Sequence, residues 1–245
     1  MMVSLIIPCI ANDLGRCALL LEKFLHSTTL MPDEILVSVS GVLEAPELDE
    51  IVQTKKTKIR VFLREGTHYA GDNRNYGAKH AKGDILLFQD ADDEIHPQKV
   101  ELVVNFFEKN KNVDVLNHLY QPYGFDWQIY DVSKIEDFPV IEHRELFESK
   151  YTGRAGGGGC VHRGHVSVRA QVWKTIKYDP TLRRGQDAVF LFSCLEKFKC
   201  GVLQLFLSKY DGITYIPAFL NKMHSDWKKI DEPNGLGKSR EKLRE

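Results

Sequence analysis

The sequence has no apolar run approaching the roughly 20 residues that a helix needs to cross a bilayer, so nothing in it reads as a transmembrane segment. Cysteine is scarce: Cys9, Cys17, Cys160, Cys194 and Cys200 are odd in number and show no C-x-x-C spacing. That speaks against a disulfide framework and fits reduced thiols. Net charge is almost absent, since 33 Lys+Arg stand against 34 Asp+Glu, and no general pull toward nucleic acid or anionic lipid follows. The opening MMVSLIIPCIAND lacks a basic region and meets Asn and Asp too early for a secretory signal. No G-x-x-x-x-G-K-[ST] and no G-x-G-x-x-G follows the first apolar run, which removes the phosphate-loop and dinucleotide-binding signatures. No internal repeat or low-complexity tract is present. Together these absences predict a cytoplasmic protein. The tail residues Lys238, Arg240, Lys242 and Arg244 would allow a peripheral approach to a membrane, but acidic residues interrupt them and favour a solvated end.

What is present is ordinary globular composition, 43% hydrophobic and 27% charged over 245 residues, enough for one large domain or two small ones. The first half alternates strand and helix patterns. VSLIIP (3–8) reads as a buried strand, followed by Cys17, Leu20, Leu21, Phe24 and Leu25 at helical spacing. EILVSVSG (34–41) and KIRVFLRE (58–65) read as strands around the short helix PELDEIVQT. DNRNYGAKHAKG (72–83) reads as a helix with Asp72 as its cap and Gly83 as its stop. DILLF (84–88) is the fourth strand, Val100, Val103, Val104 and Phe107 mark a helix, and VDVLNHLY (113–120) is the fifth strand. Such alternation predicts an α/β fold with a mostly parallel sheet covered on both faces, binding ligands beyond the carboxyl ends of its strands. In the second half HVSVRAQVW runs from strand to helix, RRGQDAVFLFSCLEKF starts a helix, and GITYIPAFLNKMH reads as a late strand.

The fourth strand ends in LLFQDADDEI, with three aspartates and a glutamate within five positions. Like charges at the edge of an apolar interior need an offset: a cation, a helix N-terminus, or solvation. In an extended segment Asp90 and Asp92 project to one side and would both face one ligand, and a hard divalent cation takes such oxygen donors together with substrate phosphates. An acidic loop capping the next helix is the plain alternative, and the two weigh about equally on this motif alone.

Four segments in order shift that balance. SLIIPCIAN, GDNRNYGAKHAKGDILLFQDADDEI, RRGQDAVF and LNKMHSDW resemble the nucleotide-sugar-dependent glycosyltransferases of the GT-A fold, especially the inverting enzymes of glycosyltransferase family 2, over about residues 3–228. The resemblance implies a GT-A (Rossmann-like), mostly parallel sheet flanked by helices, with a smaller mixed region on the acceptor side. It implies one domain over 1–228, a nucleotide-sugar-binding half to about residue 93 and an acceptor-binding half over about 94–228, with a charged tail over 229–245.

The same resemblance implies metal-dependent transfer of a sugar to an acceptor hydroxyl with inversion, in glycan or polysaccharide synthesis. Asp187 would be the general base. Pro8, Ser40, Asp72, Arg74, Asp90 and Ala91 would bind the nucleotide sugar. Asp92 and His224 would hold Mn²⁺ or Mg²⁺, with Asp90 a further metal contact. The implied partners are a nucleotide-sugar donor and a glycan, glycolipid or glycosylated-protein acceptor, with no nucleic acid. Oligomeric state is left open.

Each residue also has a plainer role. Asp187 would serve as a helix N-cap, His224 as a solvated histidine, and Arg74 as a structural salt-bridge partner. Tyr120, Tyr123, Phe125 and Trp127 would form either a sugar-stacking surface or, more readily, packing beneath a loop. Gly156–Gly159 fits a mobile loop or an ordinary turn. Cys160, His162 and His165 offer three zinc ligands without a fourth. Two departures from the family pattern stand out. Ser40 occupies a position where an acid usually meets the nucleotide base, and Gln186 replaces the glutamate that usually precedes the catalytic aspartate. A sugar-1-phosphate nucleotidyltransferase would want a glycine-rich signature after the first strand, and PCIANDLG supplies none. A GT-A-shaped binding module without turnover is the non-enzymatic alternative.

Overall fold

The structure is a computed structural model that describes residues 1–53, 57–137, 140–142 and 163–210. Its organising strand is β1 (Val3–Ile10), flanked in parallel by β2 (Glu34–Ser40) and β4 (Ile85–Phe88), with β3 (Lys58–Arg64) beyond β2. Alternate side chains of β1 enter two separate cores. Leu5 and Ile7 pack with Leu21 and Phe24 of α1 (Leu14–Ser27) and with Val103 and Phe107 of α4 (Lys99–Lys109). Ile6 packs on the other face with Leu36, Phe88, Val172, Tyr178 and Phe190. A strand buried on both faces has no polar side to alternate, which is why LIIP runs on without a polar residue and the one before it, Ser4, is buried and donates to Glu34.

The sheet runs β3-β2-β1-β4, then β8 (Ser167–Arg169), β6 (Val115–Pro122), β9 (Cys200–Tyr210) and β5 (Glu94–Ile95), with β7 (Val140–Glu142) also on β9. Beyond β4 it becomes mixed. β8 is antiparallel to both β4 and β6. β9 runs parallel to β6 and antiparallel to β5 and β7. The four expected strands of the parallel half are all present. β9 was not anticipated, and the expected late strand GITYIPAFLNKMH lies outside the described residues.

Helices α2 (Pro46–Gln53), α3 (Ala70–Lys79), α5 (Ala170–Thr175) and α6 (Gln186–Leu195) complete the layers. α3 differs from its expected span: it starts at Ala70 after Tyr69, so Asp72 lies inside the first turn and caps nothing. Its carboxylate turns instead to Arg64 and His68. α3 can approach β1 because Gly77 faces Ile6, where a Cβ would stand 2.8 Å from Ile6 Cγ2.

Two features open the sheet at the site. The chain order reverses between β1 and β4, which is where open α/β sheets place their ligands. The ladder between them also ends at Ile6 and Phe88, with Gln89 N donating to Ile6 O at 3.0 Å. Pro8 has no N–H with which to extend it, so the two strands part there.

Candidate active site

The parting of β1 and β4 leaves a cleft of about 680 Å³, within the range of small-molecule sites. Pro8, Cys9 and Ile10 reach it from β1 and Asp13 from the turn that follows. Thr67 to Ala70, Asn73 and Arg74 come from the start of α3, Asp90 to Asp93 from the end of β4, and Arg183 to Asp187 from the start of α6. No helix among the described residues is long and apolar enough to span a membrane.

The acidic run is largely neutralised by the protein itself. Arg74, only 2% exposed, donates through Nη2 to Asp90 Oδ1. Burial pulls the Arg74 pKa down, but attraction to Asp90, Tyr178 and Asp187 outweighs it, and the guanidinium stays charged. Asp93 is buried with its carboxylate 3.0 Å from His165 Nε2, and the same nitrogen lies 3.8 Å from Asp90 Oδ2. Lys23 and Lys209 lie 3.0 and 3.2 Å from Glu94. They hold its pKa low although burial pushes it up.

Asp92 is different. Its side chain is 45% exposed and, among the described residues, its ion-pair neighbour is Arg16, at 3.9 Å. Burial, then the charges of Asp90 and Asp13, raise its pKa, with Arg16 opposing. This is a carboxylate that an added cation would relieve. Beneath the run, Lys99 is wholly buried and donates to Gln89 Oε1 at 2.9 Å.

A turn supplies the next part of the lining. Gly185 sits at φ 77°, a conformation that favours glycine, and takes the N-cap position of α6. Asp187 therefore falls in the first turn and is not the cap. It lines the cleft.

Of the sequence candidates, Pro8, Arg74, Asp90, Ala91, Asp92 and Asp187 all line this one cleft. Ser40 and Asp72 do not line it; they brace it from behind. Ser40 Oγ donates to the His68 carbonyl at 3.1 Å and accepts from Asn73 Nδ2 at 2.9 Å. Asp72 accepts from Arg64 Nη2 at 2.9 Å and lies 2.7 Å from His68 Nδ1. His68 itself faces the cleft.

In the aromatic stretch, Trp127 stands edge-on to His96 at 4.8 Å, with the Lys209 ammonium 4.2 Å from its centroid. Tyr123 OH donates to the Asp92 carbonyl at 3.1 Å. His224, the 156–159 glycines, Cys160 and His162 lie outside the described residues. His165, read from sequence as a zinc candidate, instead joins the acidic cluster. The ligating atoms of Asp90, Asp93 and His165 lie within 4.8 Å of one another. Sequence reasoning also missed Lys99, Arg183 and Arg184, because a lysine in an amphipathic helix and arginines in a loop ordinarily read as solvated.

The family model described as "Glycosyl transferase family 2" matches residues 4–168, well over half of the chain. An uncharacterized glycosyltransferase of Methanocaldococcus jannaschii is 26% identical over 168 residues, covering 68% of this chain and 55% of that protein. One from Haemophilus influenzae is 32% identical over 117 residues, covering 48% and 38%. The chain thus spans about half, or less, of the length of these relatives. S. aureus TarS in complex with UDP-GlcNAc superposes with a TM-score of 0.65 at 19% identity, over 88% of this chain and 60% of that one. Glucosyl-3-phosphoglycerate synthase from Mycobacterium tuberculosis, in complex with Mn²⁺, UDP-Glc and phosphoglyceric acid, gives 0.55 at 14% identity, over 91% and 74%. At these identities the likeness shows the fold, GT-A.

Proposed function

The chain belongs to glycosyl transferase family 2, and on that premise we propose that it moves a sugar from a nucleotide-sugar donor to an acceptor hydroxyl, with inversion at the anomeric carbon. The observation that carries this reading is the single cleft. It joins Pro8, Arg74 and the 90–92 acids, from the strand ends, to Asp187, about a hundred residues away in sequence. Inversion rests on the family resemblance.

In this reading the donor lies along the Pro8 and 67–74 wall with its diphosphate toward Asp92. Arg74 fixes the orientation of Asp90. Asp92 is the carboxylate left available for Mn²⁺ or Mg²⁺, and His224 is the expected additional ligand. Asp90, Asp93 and His165 form a second donor set whose chemistry also suits a divalent ion. When bound, the cation offsets the charge that develops on the departing nucleoside diphosphate.

Asp187 accepts the acceptor's hydroxyl proton as that oxygen bonds to the anomeric carbon and the bond from that carbon to the diphosphate breaks. The solved neighbours bound to UDP-GlcNAc and UDP-Glc make uridine donors the first to try. In the same reading residues 1 to about 93 are the donor half and about 94–228 the acceptor half.

The test is a nucleotide-sugar panel with Mn²⁺, scoring nucleoside diphosphate release and donor binding. Asp187→Asn should keep donor binding and lose about 10²- to 10⁴-fold in turnover. Asp92→Asn should weaken metal-dependent donor binding itself. If no donor binds the wild type, with metal or without, the donor-site assignment fails.

A further inference from the structure

The lining of the cleft carries Asp13, Asp90, Asp92 and Asp93 around Arg74, and at the turn before α6 it carries Arg183 and Arg184 beside Asp187. Of these acids Asp90 pairs with Arg74, Asp93 lies against His165, and Asp92 lies 3.9 Å from Arg16. Arg183 and Arg184 are exposed and, among the described residues, have no ion-pair or hydrogen-bond partner.

Between them and Asp187 lies Gln186, only 8% exposed and lining the same cleft, whose Oε1 has no hydrogen-bond partner among the described residues. A buried amide oxygen left without a partner is costly unless something in the cleft meets it. Gln186 also stands where the family pattern usually has glutamate. With it, the turn RRGQD sets two arginines against one aspartate, leaving a net positive charge that a glutamate would cancel. The N-terminus of α6 adds its own partial positive charge on that side. Guanidinium forks match phosphate and carboxylate oxygens.

We propose that the acceptor carries an anionic group, a phosphate or a carboxylate, near the hydroxyl to be glycosylated, and that Arg183 and Arg184 bind it while the Gln186 amide oxygen accepts a hydrogen bond from a neighbouring hydroxyl. This rests on the reading of Asp187 as the base on the acceptor side. The donor diphosphate has its own seat against Asp92, which leaves the two arginines for the second substrate. The anion selects the acceptor, and the neutral Gln186 lets it approach Asp187 without a second carboxylate to repel it.

The experiment titrates the full chain, saturated with Mn²⁺ and the nucleoside diphosphate found in the donor panel, with sn-glycerol 3-phosphate, glycerate and glycerol. The anionic ligands should bind about tenfold more tightly than glycerol, or more, as expected for charge-assisted hydrogen bonds. Whichever of the two binds more tightly tells phosphate from carboxylate. The double variant Arg183→Gln/Arg184→Gln should erase the difference and leave nucleoside diphosphate affinity unchanged, while Arg183→Lys/Arg184→Lys should retain part of it.

Equal binding of glycerol and both anions to the wild type overturns the proposal. So does an equal loss of nucleoside diphosphate affinity in the Gln variant, which would put the arginines on the donor. If the wild type binds no nucleoside diphosphate, the donor-site reading has failed separately. The same titration of the bare chain, wild type against the Gln variant, then decides the anion site.

Discussion

Lys99 offers a direct test of the electrostatics beneath the acidic run. It is fully buried, and its Nζ donates to Gln89 Oε1 at 2.9 Å. Burial pulls its pKa from 10.5 down to about 7, against the attraction of Asp90 and Asp93. In the unfolded chain the ammonium keeps its proton until about pH 10.5, so between that value and about pH 7 the unfolded state binds more protons and stability rises with pH. This contribution is complete above the unfolded value and is lost as pH falls through about 7. At about 1.4 kcal/mol per pKa unit the whole window is worth about 5 kcal/mol, and the part between about pH 6 and pH 9 about 2–3 kcal/mol.

Lys99→Met keeps the length of the side chain and removes the titration. Urea unfolding of wild type and variant across that range should show their stability difference changing by this amount, with the wild type gaining relative to the variant as pH rises. Taking the difference cancels other groups. Burial raises the Cys200 thiol to about 12, so its effect has the opposite sign at alkaline pH. Parallel curves for the two proteins would refute the reasoning. They would mean that Gln89 and the two carboxylates suffice to keep the buried ammonium charged.

Two further outcomes follow from packing and from a buried imidazole. At Gly83 a Cβ would stand 2.6 Å from both Ser4 N and Ser4 Oγ and 2.8 Å from Ile85 O. Gly83→Ala must therefore move backbone, and thermal unfolding should show a loss of about 1–3 kcal/mol, roughly 3–10 °C; an unchanged Tm would contradict the close approach. His96 accepts from Gln98 N at Nδ1 (3.0 Å), and its Nε2 lies 2.9 Å from the Gln128 carbonyl, which together fix the neutral Nε2–H form. Burial, with Lys209 and Lys99 adding to it against Gln128, lowers its pKa to about 4. Its stabilising contribution is thus present above about pH 6.5 and lost as pH falls through about 4, and the ring nitrogens should still report the neutral tautomer by NMR at about pH 5. A titration near 6.5 would sink the assignment.

The parallel half was legible because strands buried on two faces leave continuous apolar runs, and helices packed on one face leave periodic ones. Cys17, Leu20, Leu21 and Phe24 are buried on α1 as their spacing required. The second half was less legible. The stretch VLQLFL of β9 carries as strong an apolar signal as β2. Nothing local shows that it must lie parallel to β6 and antiparallel to β5 and β7, and its pairing with β6 shifts register after His118. Direction and partner are properties of the assembled sheet.

The site divides in the same way. Asp90, Asp92, Arg74 and Asp187 could be named because their motifs are local. His165 could not be placed, since its contact with Asp93 exists only once β8 docks antiparallel on β4, with Phe88 N donating to Val166 O at 3.0 Å. Lys99 was hidden by helical periodicity, because a lysine one position before Val100 reads as a solvated first turn.

The geometry also answers why a strand should leave the core on four acids. Taken as sequence, the run DADDE looks like one undivided negative charge that needs an offset, whether a cation, a helix N-terminus or solvation. Taken as structure, its members have separate partners drawn from distant parts of the chain: Arg74 from α3, His165 from the turn before β8, Lys23 from α1 and Lys209 from β9. Three of the four carboxylates are therefore held with or without an ion, and they anchor the loop rigidly between α1, α3 and β9. Asp92 remains, half exposed beside its fixed neighbours, with its pKa raised by burial and by their charge. On the proposed reading, a cation arriving there would meet a seat whose position is already set by the contacts around it, so metal binding would not have to organise the loop as well. That division of labour, with structural charges paired internally and one carboxylate left to the cleft, is what preorganisation of a donor site requires.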